Sequence, residues 1–258
     1  MIFSKLIGVS YCLSINTHEG LVLCAASFSA TYTDKERLSS KMQRFIWPGN
    51  RMITILSSGN QLTIDGVLKQ IQQDLRQHAT RNLLTANSLN EVSDYIASIS
   101  VQQQNAHMQS ADKHTSSAAN FIVAGQIGNT QMETLLIYAE GNFIHESHDS
   151  PFLQIGDMKF GKPILDRIIK RNISLNTAAH AALVSVDSTI RGNPTVTMQA
   201  ELLLYKNNSL ATSHYLLLNE NSQFFNQMSS AWSKGVTKAL DSLPRFSWEN
   251  EKSKPNDI

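Results

Sequence analysis

The chain has 258 residues, of which 41% are apolar and 17% charged, and its 22 Lys and Arg against 21 Asp and Glu give a formal net charge of +1. This composition is typical of a globular protein and excludes a disordered chain, which combines low hydrophobicity with high net charge. The near-neutral balance and the lack of a long basic run give no support to nucleic-acid binding. No apolar stretch approaches the roughly 18 residues of a membrane span.

No residue pattern in the sequence points to a cofactor or a metal site. Residues 1–9 contain a lysine inside a short apolar stretch and resemble no secretory signal, so we expect a cytoplasmic protein. Cys12 and Cys24 lack CxxC spacing, and we expect free, buried thiols. His145 and His148 lie three residues apart and could form a weak surface metal site, but a solvated loop is the better interpretation.

The first half of the chain predicts two β-hairpins followed by two helices. Apolar runs at residues 10–15 and 21–25 flank a polar turn, and those at 41–47 and 52–57 flank Pro48-Gly49-Asn50. Apolar residues then recur at helical spacing over residues 64–75 and again over 89–99. Residues 102–119 are polar with little to bury, which indicates a loop.

The second half repeats the alternation of strands and helices. Three strands are expected at residues 120–127, 133–139 and 142–146, followed by helices over 162–170 and from Ser174, a good N-cap, to about 191. Further strands are expected at 196–205 and 214–218, before a last helix over 224–240. Strand-rich runs bounded by helix pairs favour an α+β domain with two packed sheets covered by outer helices.

Several short strings add information that periodicity does not carry. Together, in order and spacing, they resemble the bacterial proteasome-type proteases called Anbu (ancestral β subunit), from about Ser10 to Tyr205 and more weakly to Leu243. The strings include Ser10-Tyr11-Cys12, Pro48-Gly49-Asn50-Arg51, Gly141-Asn142-Phe143-Ile144, Pro151-Phe152-Leu153-Gln154-Ile155-Gly156, Lys162-Pro163-Ile164-Leu165-Asp166-Arg167 and Val184-Ser185-Val186-Asp187-Ser188-Thr189-Ile190-Arg191.

The resemblance implies a four-layer αββα sandwich of the proteasome β-subunit type, an N-terminal nucleophile hydrolase. In such enzymes the first residue of the mature chain supplies the hydroxyl, and its own α-amine accepts the proton. The resemblance places the nucleophile at Ser10, the catalytic lysine at Lys41 and the oxyanion turn at Ser58-Gly59. Asp187, with Ser188 beside it, takes a further acidic position of the site.

This sequence departs from the family pattern at three positions. Ser10 stands where the family has Thr, and the aspartate that orients the lysine is replaced by Ala26, with Phe28 in place of an arginine. The main hypothesis is therefore a peptidase of impaired activity. The alternatives are a degenerate subunit that assembles or binds peptides without cleaving them, and a monomeric binding domain that kept only the fold.

The resemblance also suggests a domain organisation and partners. Residues 1–9 are interpreted as an N-terminal extension, either a propeptide or a mis-assigned start, residues 10–243 as the proteasome β-type domain, and residues 244–258 as a charged, disordered tail. The expected partner is the chain itself, in a closed ring or an open helical ring. Peptides or unfolded proteins are the expected substrates.

Overall fold

The computed structural model describes residues 10–29, 40–110, 116–192 and 197–249. These residues form ten strands and five helices. The strands are β1 (Ser10–Thr17), β2 (Gly20–Ser29), β3 (Met42–Trp47), β4 (Arg51–Gly59), β5 (Ala119–Ile127), β6 (Glu133–Ile137), β7 (Phe143–His145), β8 (Phe152–Gly156), β9 (Thr197–Lys206) and β10 (His214–Asn219). The helices are α1 (Gln61–Arg76), α2 (Leu89–Ser110), α3 (Lys162–Ile168), α4 (Leu175–Arg191) and α5 (Gln223–Asp241).

The strands form two antiparallel sheets of five. Sheet A has the order β10-β9-β2-β1-β8, and sheet B has the order β3-β4-β5-β6-β7. The register pairs Ser10 with Ser27 and Tyr11 with both Ala26 and Gly156. All eight residues of β1 are buried, as expected for an inner strand that is covered on both faces.

Three hydrophobic clusters define four layers. One lies between sheet A and helices α3, α4 and α5, a second lies between the two sheets, and a third joins sheet B to α1 and α2. Because side chains alternate along a strand, Tyr11 belongs to the helix-side cluster while Cys12 belongs to the inter-sheet cluster. The structure therefore confirms the predicted αββα sandwich.

The helix starts follow local capping chemistry. The Asn60 side chain accepts a hydrogen bond from Thr63 N at the start of α1, and the Ser174 hydroxyl accepts one from Thr177 N at the start of α4. Both side chains satisfy N–H groups that have no partner inside the first helical turn. The predicted cap at Ser174 is confirmed.

The structure differs from the sequence-based prediction at the polar segment after residue 101. Residues 102–110 continue α2 instead of forming a loop. Gln104 is buried and donates to the Ala139 carbonyl, and the His107 ring contacts the Thr63 hydroxyl at 3.2 Å. This part of the helix is held by polar tertiary contacts, which leave no apolar periodicity in the sequence. A further strand, β8, had no predicted counterpart.

The described part of the expected tail forms one turn of 3₁₀-helix at Ser247–Glu249, where Phe246 and Trp248 stack with ring centroids 4.4 Å apart. The N-terminal extension at residues 1–9 and the rest of the tail, residues 250–258, lie outside the described residues. No helix within the described ranges is both long and apolar enough to cross a membrane.

Candidate active site

Ser10 lies where the ends of the two sheets meet. It begins β1, it is 4% exposed, and its hydroxyl donates to Ser58 Oγ near the end of β4 at 2.8 Å. Ser10 lies two residues from Cys12 and points to the same face of β1, toward sheet B. The two facing strand ends therefore place the expected nucleophile against the segment that carries the expected oxyanion turn.

Gly156 and Asp157 hold the main chain of Ser10 from the other side. Asp157 N donates to the Ser10 carbonyl at 3.0 Å, and Gly156 has a φ of +87°. A Cβ atom at Gly156 would lie 1.9 Å from Ser10 O and 3.0 Å from Ser58 Oγ. Only glycine fits this contact. The sequence analysis quoted Gly156 in a family string but gave it no role; a glycine that ends an apolar run was the available signal.

Position 59 also requires a glycine. Its φ is +118°, and a Cβ atom there would lie 2.4 Å from the Ala118 carbonyl oxygen. Gly59 ends β4 directly after Ser58, so the expected oxyanion turn lies next to the hydroxyl pair. Asn60 follows and caps α1, which fixes the direction in which the chain leaves the sheet.

Lys41 reaches the same end of the sheets from the start of β3. Its carbonyl accepts from Ser57 N at 3.0 Å, and its ammonium donates to Gln61 Oε1. Burial lowers the pKa of the half-buried Lys41, while Cys12 and Asp65 act in the opposite direction. Burial also raises the pKa of Cys12 to about 12, so this thiol is neutral at pH 7. Gln61, the neutral partner of the lysine, was not anticipated from the sequence.

Ala26, which replaces the family's aspartate, is fully buried and belongs to the helix-side cluster with Tyr11. Its Cβ therefore lies on the face of sheet A opposite the Ser10 hydroxyl. Phe28 lies in β2, and the structure does not describe its side chain. Among the described residues, no carboxylate forms an ion pair with Lys41.

Asp187 and Ser188 have their described hydrogen bonds within α4 and to α5. The Asp187 carboxylate is 4% exposed and accepts from Arg191 Nε at 3.0 Å and from Ser229 Oγ, on α5, at 2.7 Å. The Ser188 carbonyl accepts from Gly192 N, within the last turn of α4. The structure thus places Ser10 against Ser58 and bonds the main chain of Lys41 to the adjacent Ser57, whereas Asp187 joins α4 to α5.

The remaining candidate ligands are dispersed. His145 contacts Asn90 and Glu133, whereas His148 is exposed beside Asp149. In the part of the chain that the structure describes, no three His, Cys, Asp or Glu side chains come together as metal ligands would. Cys12 and Cys24 are free and buried, as predicted.

The comparisons with known proteins identify both the fold and the family. No family model and no curated protein matches the sequence. Among solved structures, the chain is similar to the helical assembly of the Anbu complex from Pseudomonas aeruginosa, with 31% identity, a TM-score of 0.81, and coverage of 92% of this chain and 98% of that one. Anbu from Hyphomicrobium sp. strain MC1 matches at 30% identity and a TM-score of 0.80, and Anbu from Yersinia bercovieri at 27% and 0.81; each alignment covers 92% of this chain and 99% of the other.

Two antiparallel sheets between helix layers, with a hydroxyl residue at the start of the first inner strand, define a proteasome-type N-terminal nucleophile fold. The chain is thus a proteasome-related subunit. At 31% identity over almost the whole of both chains, it belongs to the Anbu family.

Proposed function

We propose that this chain is an amide hydrolase subunit whose nucleophile is the Ser10 hydroxyl and whose base is the α-amine of Ser10. The observation that carries the proposal is the position of Ser10 Oγ, 2.8 Å from Ser58 Oγ, beside the turn at Gly59 and the segment that begins with Lys41. Peptides or unfolded proteins are the proposed substrates.

The proposed reaction uses groups that are already in place. The α-amine takes the hydroxyl proton as Ser10 Oγ bonds to the substrate carbonyl carbon. The Lys41 ammonium favours the anionic oxygen, and the Gly59 N–H is the proposed donor to the oxyanion. The amide C–N bond then breaks, the leaving amine takes the proton from the α-ammonium, and water hydrolyses the Ser10 ester.

This reaction requires a free α-amine, because an amide nitrogen is not basic. We therefore propose that the functional chain begins at Ser10, either because residues 1–9 are cleaved off or because translation starts at position 9 with a methionine that is then removed, and that residues 10–243 form the working domain. Intact-mass measurement of the native protein tests this directly. A mass that retains residue 1 would contradict the proposed base.

A second function has its own support. Ala26 supplies no carboxylate, and the described partner of Lys41 is the neutral amide of Gln61. These features favour a subunit that binds peptides or assembles without cleaving them. The two functions differ in the reactivity of Ser10.

Treatment with a peptide β-lactone distinguishes the two functions, because a nucleophilic hydroxyl opens the lactone and keeps the acyl group. We expect one adduct per chain, located on Ser10 by peptide mapping, and none in Ser10→Ala. A native protein that begins at Ser10 but forms no adduct at any pH would overturn the hydrolase proposal and leave the non-cleaving subunit.

We also propose that the chain assembles with copies of itself through the C-terminal part of α5. Apolar residues recur along one face of this helix. Phe225 is 5% exposed and Met228 packs against the core, but farther along Val236 is 42% exposed, Leu240 62% and Leu243 61%. The apolar stripe thus continues beyond the body of the domain, and such a stripe requires a partner.

A second copy of this chain is the proposed partner of that stripe. Two such helices can pair antiparallel, which places Lys238 of one copy near Asp241 of the other and buries both stripes. A helical assembly is described for the similar Anbu from Pseudomonas aeruginosa. Phe246 and Trp248, which follow α5 in the chain, are also exposed.

A further inference from the structure

A carboxylate is buried in the inter-sheet layer close to the site but outside the set of residues considered so far. Glu201, on β9, is 5% exposed. The ladder pairs it with Ala25, which itself pairs with Cys12, so these three side chains form a row on the face of sheet A that meets sheet B. A buried carboxylate is costly unless other groups satisfy its oxygens.

Both carboxylate oxygens of Glu201 accept hydrogen bonds, and one of the donors is the residue directly before Lys41. Tyr215 OH donates to Oε2 at 2.7 Å, and Ser40 Oγ donates to Oε1 at 2.6 Å. The Arg44 guanidinium lies over the Tyr215 ring, 3.7 Å from its centroid. Tyr215 therefore occupies one oxygen of the carboxylate, and Ser40, the residue directly before Lys41, occupies the other.

Ser40 and Ser57 fix the main chain around Lys41. Met42 N donates to Ser40 Oγ at 3.2 Å, and Ser57 N donates to the Lys41 carbonyl at 3.0 Å. Lys41 is thus the central residue of a short segment that is bonded to β4 at its own carbonyl and to Glu201 through the preceding hydroxyl. Such a segment can move little without breaking a bond to a buried charge.

We propose that Glu201 is the positioning residue for Lys41: through its hydrogen bond with Ser40 it holds the segment that enters β3, and with it Lys41, in place. Glu201 lies on the inter-sheet face of sheet A, whereas a side chain at position 26 lies on the opposite face. The purpose of this arrangement rests on the proposed hydrolase function, but the coupling of Glu201 to Lys41 is a separate physical claim.

The charged and titratable groups around this pair are few among the described residues. Cys12 on β1 and Asp65 on α1 act to raise the pKa of Lys41, and Glu201 acts to raise the pKa of Cys12. Cys12 is a neutral thiol at pH 7. Asp65 therefore favours the Lys41 ammonium directly, whereas Glu201 acts on Lys41 through Ser40.

The test is a titration of Lys41 that needs no activity. The lysines of the purified protein are reductively methylated with ¹³C-formaldehyde, and the Lys41 resonance is assigned with Lys41→Arg. In Glu201→Gln we expect the titration midpoint of Lys41 to rise toward that of an ordinary lysine, because releasing the segment exposes an ammonium whose pKa is lowered by burial. Glu201→Asp, which keeps the charge, is expected to restore most of the native midpoint.

Glu146 supplies the matched control. It is also a buried carboxylate, with hydrogen bonds from Asn16, Thr134 and Arg171. Glu146→Gln should lower stability and leave the Lys41 midpoint unchanged. Equal shifts in the Glu146 and Glu201 variants would show a general loosening of the fold and overturn the proposal.

Ser40→Ala keeps the proposal testable if Glu201→Gln does not fold. Ser40 is exposed, so its truncation spares the core, and we expect the Lys41 midpoint to rise as well. An unchanged midpoint in Ser40→Ala, or in a folded Glu201→Gln, overturns the positioning role whether or not Ser10 forms an adduct. A shifted midpoint in a protein whose Ser10 never reacts supports the coupling and rejects only the hydrolase function.

Discussion

At the scale of single residues, the site depends on close backbone approaches that tolerate no side chain. The hydroxyl pair of Ser10 and Ser58 can form because Gly156 leaves room beside both residues. Gly156 also has a positive φ, so it combines a steric and a conformational requirement. These two requirements can be separated experimentally, because Gly49 has a similar φ without the steric one.

Gly156→Ala should be much more damaging than Gly49→Ala. Gly49 has a φ of +73° with no other atom within 4 Å of its added Cβ, so we expect a loss of about 1 kcal/mol of unfolding free energy. Gly156→Ala adds a contact at 1.9 Å with Ser10 O, and we expect a loss of about 3 kcal/mol or more and no β-lactone adduct. Urea unfolding measures both losses. Equal losses would contradict the close approach.

The Lys41 ammonium should give the acylation of Ser10 an alkaline limit. Burial lowers the pKa of Lys41, so the folded protein loses this charge at a lower pH than an ordinary lysine does. The rate of β-lactone acylation should therefore fall as the pH rises through that pKa. In Lys41→Arg, whose side chain stays charged, the fall should disappear even if the rate is lower throughout. If the acylation rate of Lys41→Arg falls at high pH as it does in the native protein, Lys41 is not the cause of the alkaline limit.

At the scale of secondary-structure elements, helix starts connect the site to the outer layers. The Asn60 cap fixes the first turn of α1, and Gln61 in that turn accepts from the Lys41 ammonium. The Ser174 cap performs the same local task at the start of α4, where it contacts none of the site residues. The two caps therefore have similar energies but different functional neighbours.

Asn60→Ala and Ser174→Ala should each cost about 1 kcal/mol of stability, the usual price of losing a side-chain cap. Only Asn60→Ala should slow β-lactone acylation of Ser10, because it loosens the turn that presents Gln61 to Lys41. Thermal unfolding and adduct formation, measured on the same samples, check both expectations. Equal slowing in both variants would indicate that stability alone governs the rate.

At the scale of the whole molecule, the exposed apolar residues are unevenly distributed. Most of the large ones among the described residues lie between Leu216 and Trp248, on β10, on α5 and in the turn after it. The outer face of α1 presents the isolated Leu62. This asymmetry supports one self-association surface at the C-terminal end of the domain.

Leu240→Glu should dissociate the assembly without unfolding the subunit. Leu240 is 62% exposed, so the added charge meets water in the monomer but would be buried in the proposed interface. Light scattering at micromolar concentration should show a mass close to one subunit. Leu62→Glu, at a residue 67% exposed on α1, is the matched control and should leave the assembly intact. Assembly of Leu240→Glu at full mass would place the interface elsewhere.

The sequence by itself determined the layer order, because strand and helix periodicities and turn residues are local signals that survive without tertiary contacts. The family strings, which are also local, predicted Ser10, Lys41 and Gly59 as site residues, and the fold brings these residues to one end of the sheets. The C-terminal half of α2 escaped prediction because Gln104 and His107 are stabilised by hydrogen bonds to distant residues instead of by apolar burial.

Only the tertiary structure decided which side chains meet. The resemblance predicts Asp187 at the site, and in the structure its carboxylate accepts from Arg191 and Ser229 because that face of α4 meets α5. Glu201, 160 positions after Lys41, is a single acidic residue in a strand and indicated no site; its link to Ser40 arises from the pairing of β9 with β2 and the stacking of the two sheets. Contacts between residues so far apart depend on register and layer packing, which a local pattern does not encode.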